Sequence, residues 1–137
     1  MKKHYPFENA PLAYAYDALE PYIDEKTMQL HHERHLKTYI DNLNSILKKY
    51  PQFQTLTLEQ LIHTTRQVPE RDCIAIARNA SGVYNHQFFF NGMCPDGKKA
   101  PSGALAVDIN RRFGSLNAFR EKFTEMALSV FGSGYVW

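Results

Sequence analysis

Residues 28–39 read MQLHHERHLKTY, and this stretch decides the fold of the first half of the chain. On an α-helix, His31, His35 and Tyr39 are spaced i, i+4, i+8 and therefore share one face. The same face continues in residues at core spacing: Leu36, Ile40, Leu43, Ile46, Leu47 and Tyr50. We expect the imidazoles to point toward the buried side, where polar groups need partners. A metal ion is one such partner, since neutral imidazole is the commonest metal ligand.

The composition indicates an ordinary globular protein. Of 137 residues, 44% are hydrophobic and 22% charged, and the formal net charge of +2 is too small to indicate a nucleic-acid partner. No apolar run of about 18 residues is present, so we expect no membrane span. Cys73 and Cys94 form no disulfide framework, and the N-terminus carries no secretory signal. We therefore expect a cytoplasmic protein.

Helix signals follow one another along the chain. Asp24 is a plausible N-cap, Pro51 ends the first long helix, and Thr57 begins a capping box with Gln60. The predicted helices are about 24–50, 58–67, 71–91, 104–113 and 116–131, with the opening of a β-strand at 135–137. The segment 93–102 reads as a linker between domains 1–92 and 93–137. This predicts a mainly α fold: a long antiparallel helical hairpin, then the helical beginning of an α/β domain that stops at its first strand.

His86 is the second position of interest. It shares a helix face with Gly82, Val83, Phe89 and Phe90, which indicates a dry pocket walled by aromatic rings. The simpler alternative is a core histidine bonded to backbone, as most buried polar groups are. Two known metal motifs are absent: HHERH is not the HExxH of zinc proteases, and no ExxH repeat of a di-metal site occurs.

Three motifs, in order, carry a resemblance to the iron/manganese superoxide dismutases. They are LAYAYDALEP at 12–21, HHERHLKTY at 31–39 and NASGVYNH at 79–86, and the segments RFGS at 112–115 and FGSGYVW at 131–137 agree with the family's central region. The resemblance covers nearly the whole chain. It implies a protein that disproportionates superoxide to dioxygen and hydrogen peroxide by one-electron chemistry at a metal.

The resemblance also implies roles for individual residues. His31 and His86 correspond to two metal ligands on facing helices, and His35 and Tyr39 to the outer-sphere pair that lines the substrate funnel. The walls of the pocket correspond to Gly82, Phe90 and Trp137. His32 points about 100° away from His31 on a helix, so we interpret it as supporting structure.

The family's remaining Asp and His ligands are absent from this chain and would lie beyond Trp137. We therefore expect a C-terminally truncated fragment. Manganese is the implied cofactor and iron the alternative: Gly82 is typical of manganese members, whereas iron members often carry glutamine there, but Val83 is iron-like. The resemblance further implies a homodimer and superoxide anion as substrate. Two other hypotheses stay open: a catalytically incompetent helical metal-binding or dimerising module, and a plain helical domain with structural histidines.

Overall fold

The computed structural model describes residues 4–63, 68–97 and 100–137. The chain divides into two compact units, Met1–Pro95 and Asp96–Trp137. The first unit contains a run of helices: α1 (Glu25–Gln29), a π-helix (Leu30–Leu36), α2 (Lys37–Leu47), a 3₁₀ turn (Pro51–Phe53), α3 (Leu58–His63) and α4 (Glu70–Asn91). The second unit contains α5 (Gly103–Phe113) and α6 (Leu116–Ser129).

The first long helix begins where the sequence predicts but is not uniform. The Asp24 carboxylate caps it by accepting from the Thr27 amide at 2.9 Å. From Leu30 to Leu36 the rod is a π-helix, so its hydrogen bonds skip one residue more than in an α-helix. The rod ends at Leu47, earlier than predicted, and Pro51 instead opens the 3₁₀ turn.

The π-helix, α2 and α4 form an antiparallel hairpin. Three contacts show the direction: His31 faces His86, Tyr39 lies against Gly82, and the Tyr50 hydroxyl donates to the Asp72 carboxylate. Residue numbers therefore increase along one rod in the direction in which they decrease along the other. The capping box of α3 forms as predicted: the Thr57 amide donates to the Gln60 side chain at 2.9 Å. Residues 64–67 of that predicted helix lie outside the described part of the chain.

Apolar residues at helical spacing form the core of this unit. α2 contributes Ile40, Leu43 and Leu47, and α4 contributes Ile76, Ala80, Val83 and Phe90. Each such large side chain stabilises the fold by roughly 1.5–3 kcal/mol through removal from water. The fully buried Ala80 and Val83 allow α2 to approach α4 closely, which brings the histidine-bearing segments together.

The second unit is a short helical pair. Ser115 caps α6 by accepting from the Ala118 amide at 3.1 Å, and Gly114 ends α5 with a φ of +82°, which favours glycine. No residue of α6 is buried, and Phe123 is 44% exposed. No strand is assigned in the described residues, 135–137 included, since a strand needs a hydrogen-bonded partner.

Among the described helices, none combines the length and the hydropathy that a membrane crossing requires.

Candidate metal centre

The centre of the hairpin brings two imidazoles together from opposite rods. The rings of His31, on the π-helix, and His86, on α4, lie with centroids 4.8 Å apart and planes at 74°. His86 is buried and His31 half-buried. The pairing of the two rods therefore brings into contact two imidazoles that lie 55 positions apart in the sequence.

Hydrogen bonding fixes the tautomer of His86. Its Nδ1 lies 2.7 Å from the Gly82 carbonyl oxygen, one turn earlier on α4. A carbonyl only accepts, so Nδ1 carries the proton and Nε2 of the neutral ring carries the lone pair. Burial lowers the pKa of His86, although the bond to Gly82 opposes that effect. The ring is thus held neutral with Nε2 as the basic nitrogen, which is the arrangement typical of a ligating histidine.

His31 is also held in the neutral form. Burial, with a smaller contribution from the neighbouring rings of His86, His35 and His32, lowers its pKa from 6.5 to about 4. Desolvation disfavours the charged imidazolium. Two neutral imidazoles in contact, within a half-buried pocket, form a donor pair that suits first-row transition metals.

Aromatic side chains surround the pair. Phe90 is 2% exposed and meets His31 edge to face at 5.0 Å, and Phe89 lies 5.7 Å from the same ring. On the other side, the Tyr39 ring lies 5.3 Å from the His86 ring. An ideal Cβ at Gly82 would be only 2.4 Å from Tyr39 Cδ1, so the missing side chain makes room for this tyrosine.

The remaining predicted site residues differ in placement. The His35 ring lies 5.9 Å from that of His31, but His35 is exposed rather than turned into the core. Four residues make slightly more than one turn of an α-helix but slightly less than one turn of a π-helix, so the π-helix rotates His35 to the other side of His31 from the one that α-helical spacing predicts. Trp137 belongs to the second unit and is 68% exposed. Its role as a pocket wall stays a prediction.

His32 is the histidine most removed from solvent, at 4% exposure. Its Nε2 donates to the Ala10 carbonyl at 3.0 Å, and its Nδ1 lies 2.9 Å from the Tyr16 hydroxyl. The Tyr16 hydroxyl, which carries a single proton, lies 2.9 Å from Glu33 Oε1 as well, and burial and this contact raise the pKa of Tyr16 to about 12. Both ring nitrogens of His32 are therefore engaged by the chain itself.

The contribution of the first residues to this centre was not anticipated from the sequence. Asn9, Ala10 and Tyr16 all bond to His32, and Tyr14 donates to the Phe90 carbonyl at 2.9 Å. A signal was present: Leu12, Tyr14 and Tyr16 alternate with exposed residues, which is typical of a segment packed along one face.

The residues present fit part of a metal site. His31 and His86 supply two neutral nitrogen donors, whereas no group of three or more His, Cys, Asp or Glu side chains converges on one point in ranges 4–63, 68–97 and 100–137. Transition-metal sites of this kind usually need further ligands to fix geometry.

Comparison with known families identifies the class. The family described as "Iron/manganese superoxide dismutases, alpha-hairpin domain" matches residues 6–94, and "Iron/manganese superoxide dismutases, C-terminal domain" matches residues 101–137. The chain belongs to the iron/manganese superoxide dismutase family, as its motifs predicted. The mainly helical fold agrees with this family's hairpin domain followed by part of its C-terminal domain.

Individual relatives agree with this assignment. Superoxide dismutase (Mn) 1 of Leptolyngbya boryana is 43% identical over 132 residues, which is 96% of this chain and 53% of the relative. The superoxide dismutase (Mn) of Thermus thermophilus is 41% identical over 133 residues, 97% of this chain and 65% of the relative. The superoxide dismutase (Mn) of Acinetobacter baylyi is 42% identical over 132 residues, which is 96% of this chain and 56% of the relative. The chain thus spans between half and two thirds of the length of these relatives.

Proposed function

We propose that this chain is the N-terminal part of a superoxide dismutase whose ion is held in part by His31 and His86. The observation that carries the proposal is the contact of these two rings across the hairpin, at 4.8 Å between centroids. Manganese is the proposed cofactor, because the relatives above carry manganese in their names, and iron is the alternative that the family allows. When bound, the metal supplies reversible one-electron redox chemistry for superoxide anion.

In this proposal, the chain's own residues bind the metal ion, orient the ligand rings and shield them from water. The Gly82 carbonyl holds the His86 ring through Nδ1, so Nε2 is directed as a donor. Phe89 and Phe90 exclude water from one side of the His31 ring. Tyr39, beside His86, is proposed to hold and pass a proton at its hydroxyl, and exposed His35 to line the approach of the anion. Trp137 is proposed as a further wall.

Three further proposals follow from the sequence and the family. The domains are 1–92 and 93–137, the protein acts in the cytoplasm, and it works as a homodimer. The cytoplasmic proposal rests on the two cysteines without a disulfide framework, both of which are free thiols.

The decisive experiment compares histidine variants in the full-length protein. His31→Ala and His86→Ala are loaded with Mn²⁺ or Fe²⁺, bound metal is measured by elemental analysis, and superoxide loss is followed by rapid absorbance decay. His63→Ala is the matched control, because His63 is an exposed histidine at the end of α3. We expect both pocket variants to lose most bound metal and activity while the control retains them. Unchanged metal content in both pocket variants would exclude the proposed ligands.

A second candidate function applies to residues 1–137 taken alone: a metal-binding or dimerising module without catalysis. The convergence of only two imidazoles in the described residues favours it. We expect residues 1–137, expressed alone and loaded with Mn²⁺, to show weak metal retention and negligible turnover. Robust superoxide turnover by this fragment would refute the second candidate.

A further inference from the structure

The N-terminal arm, defined as residues 4–16, contacts both rods of the hairpin next to the candidate ligands. We propose that this arm is a positioning device that sets the separation of the His31 and His86 rings, with Tyr14 and Tyr16 as its positioning residues. The inference rests on the proposed function, because its purpose is to hold two donors for one metal ion.

The first contact of the arm is with the π-helix, at the residue after His31. Three hydrogen bonds join them: the Asn9 side chain donates through Nδ2 to the His32 carbonyl at 3.1 Å, His32 Nε2 donates to the Ala10 carbonyl at 3.0 Å, and the Tyr16 hydroxyl contacts His32 Nδ1 at 2.9 Å. The His32 side chain is buried and both its nitrogens are engaged. Rotation of this part of the rod about its axis would break all three bonds at once.

A π-helix has particular need of such restraint. Its hydrogen-bond pattern is rare and occurs mostly as single-turn insertions within α-helices, frequently at functional sites. Here it is seven residues long and lies between α1 and α2, and it carries both His31 and His32. A return to α-helical pairing would rotate His31 relative to α2. The bonds from the arm to His32 oppose that rotation, and they therefore fix the direction of the neighbouring His31 ring.

The second contact is with α4, one turn after His86. The Tyr14 hydroxyl donates to the Phe90 carbonyl at 2.9 Å. Tyr14 and Tyr16 lie two positions apart in the sequence, a step that spans at most about 7 Å of chain. The segment from Tyr14 to Tyr16 that links the two ligand-bearing rods is therefore short, and it allows little change in their separation.

The arm is also anchored independently of the site. Phe7 is 3% exposed, its amide donates to Asn44 Oδ1 at 2.9 Å, and Asn44 Nδ2 donates back to the Phe7 carbonyl at 2.9 Å. Asn44 lies on α2, more than three turns beyond His31. With its start fixed on α2, the arm stays in place when a single tyrosine hydroxyl is removed. Loss of one hydroxyl should then alter the site without releasing the arm.

The test uses Tyr14→Phe and Tyr16→Phe in the full-length protein, each of which deletes one hydroxyl and keeps the ring. Tyr22→Phe is the matched control, because Tyr22 is 92% exposed. The probe is Mn²⁺ alone. Its Kd is measured by competition with a chelator at 25 °C, the electron paramagnetic resonance spectrum of the bound ion is recorded, and the Tm of each metal-free protein is determined.

We expect each arm variant to raise the Kd for Mn²⁺ about tenfold and to alter the resonance spectrum, as loss of groups that orient metal ligands generally does. Tyr22→Phe should match the wild type in both. A lower Tm with unchanged Kd and spectrum would overturn the inference and leave the proposed function intact, because it would show a structural role only. Failure of the wild type to bind Mn²⁺ would overturn the proposed function and this inference together.

Discussion

The replacement Gly82→Ala tests the tightest packing in the site. The added Cβ would lie 2.4, 2.6 and 2.7 Å from Tyr39 Cδ1, Cγ and Cε1. Favourable carbon–carbon contacts are about 3.5–4.0 Å, so the ring or the helix must move by about 1 Å. Overpacking of this kind typically costs about 1–3 kcal/mol.

Helix propensity opposes this cost. Alanine is favoured over glycine in a helix interior by about 1 kcal/mol. Because three atoms of a planar ring are contacted at once, we expect the clash to prevail, and the free energy of unfolding to fall by about 1–2 kcal/mol. The Tyr39 ring, 5.3 Å from that of His86, should also be displaced from the site.

Urea denaturation of the metal-free protein measures this difference, and a double-mutant cycle assigns its cause. In a Tyr39→Ala background, Gly82→Ala should become neutral or stabilising, since the obstacle is gone. Gly92→Ala is the control, because a Cβ there meets backbone oxygens at an ordinary 3.4 Å. The reasoning is refuted if Gly82→Ala is as stable as the wild type, or equally destabilising without the Tyr39 ring.

Three other predictions follow from the structure. The metal-free protein should lose stability as the pH falls from 6.5 toward the pKa of about 4 of folded His31, because the unfolded chain then binds more protons than the folded one; urea titrations across this range should show a flatter profile for His31→Gln. Asn44→Ala should lower stability by about 1–3 kcal/mol, because both bonds to the Phe7 backbone are lost; proteolysis within the arm should accelerate, and an unchanged cleavage rate would contradict this. Ser115→Ala should cost about 1 kcal/mol through loss of the cap on the Ala118 amide, whereas Ser115→Asp should retain stability; equal melting of all three proteins would show that the cap contributes nothing.

The helical architecture could be predicted because its signals are local. Asp24 and Thr57 cap helices as expected, and the apolar spacing of α4 matches its buried face. The strand opening expected at 135–137 depends on pairing with another strand, which local sequence does not provide. One local expectation was wrong. The first rod ends at Leu47 rather than at Tyr50. Proline disfavours the α conformation in the residue that precedes it, here Tyr50, and the chain leaves the helix before that residue is reached.

By itself the sequence determined the pattern of helices, the family and the two histidines that the hairpin brings together. Tertiary structure alone decided how these side chains are used: which nitrogen of His86 carries the lone pair, why Gly82 has no room for a side chain, and why His32 bonds to the arm. The physical reason is that periodicity and capping act within a few residues of the chain. Ring contacts, burial and hydrogen bonds between distant segments depend on how the rods are rotated and packed.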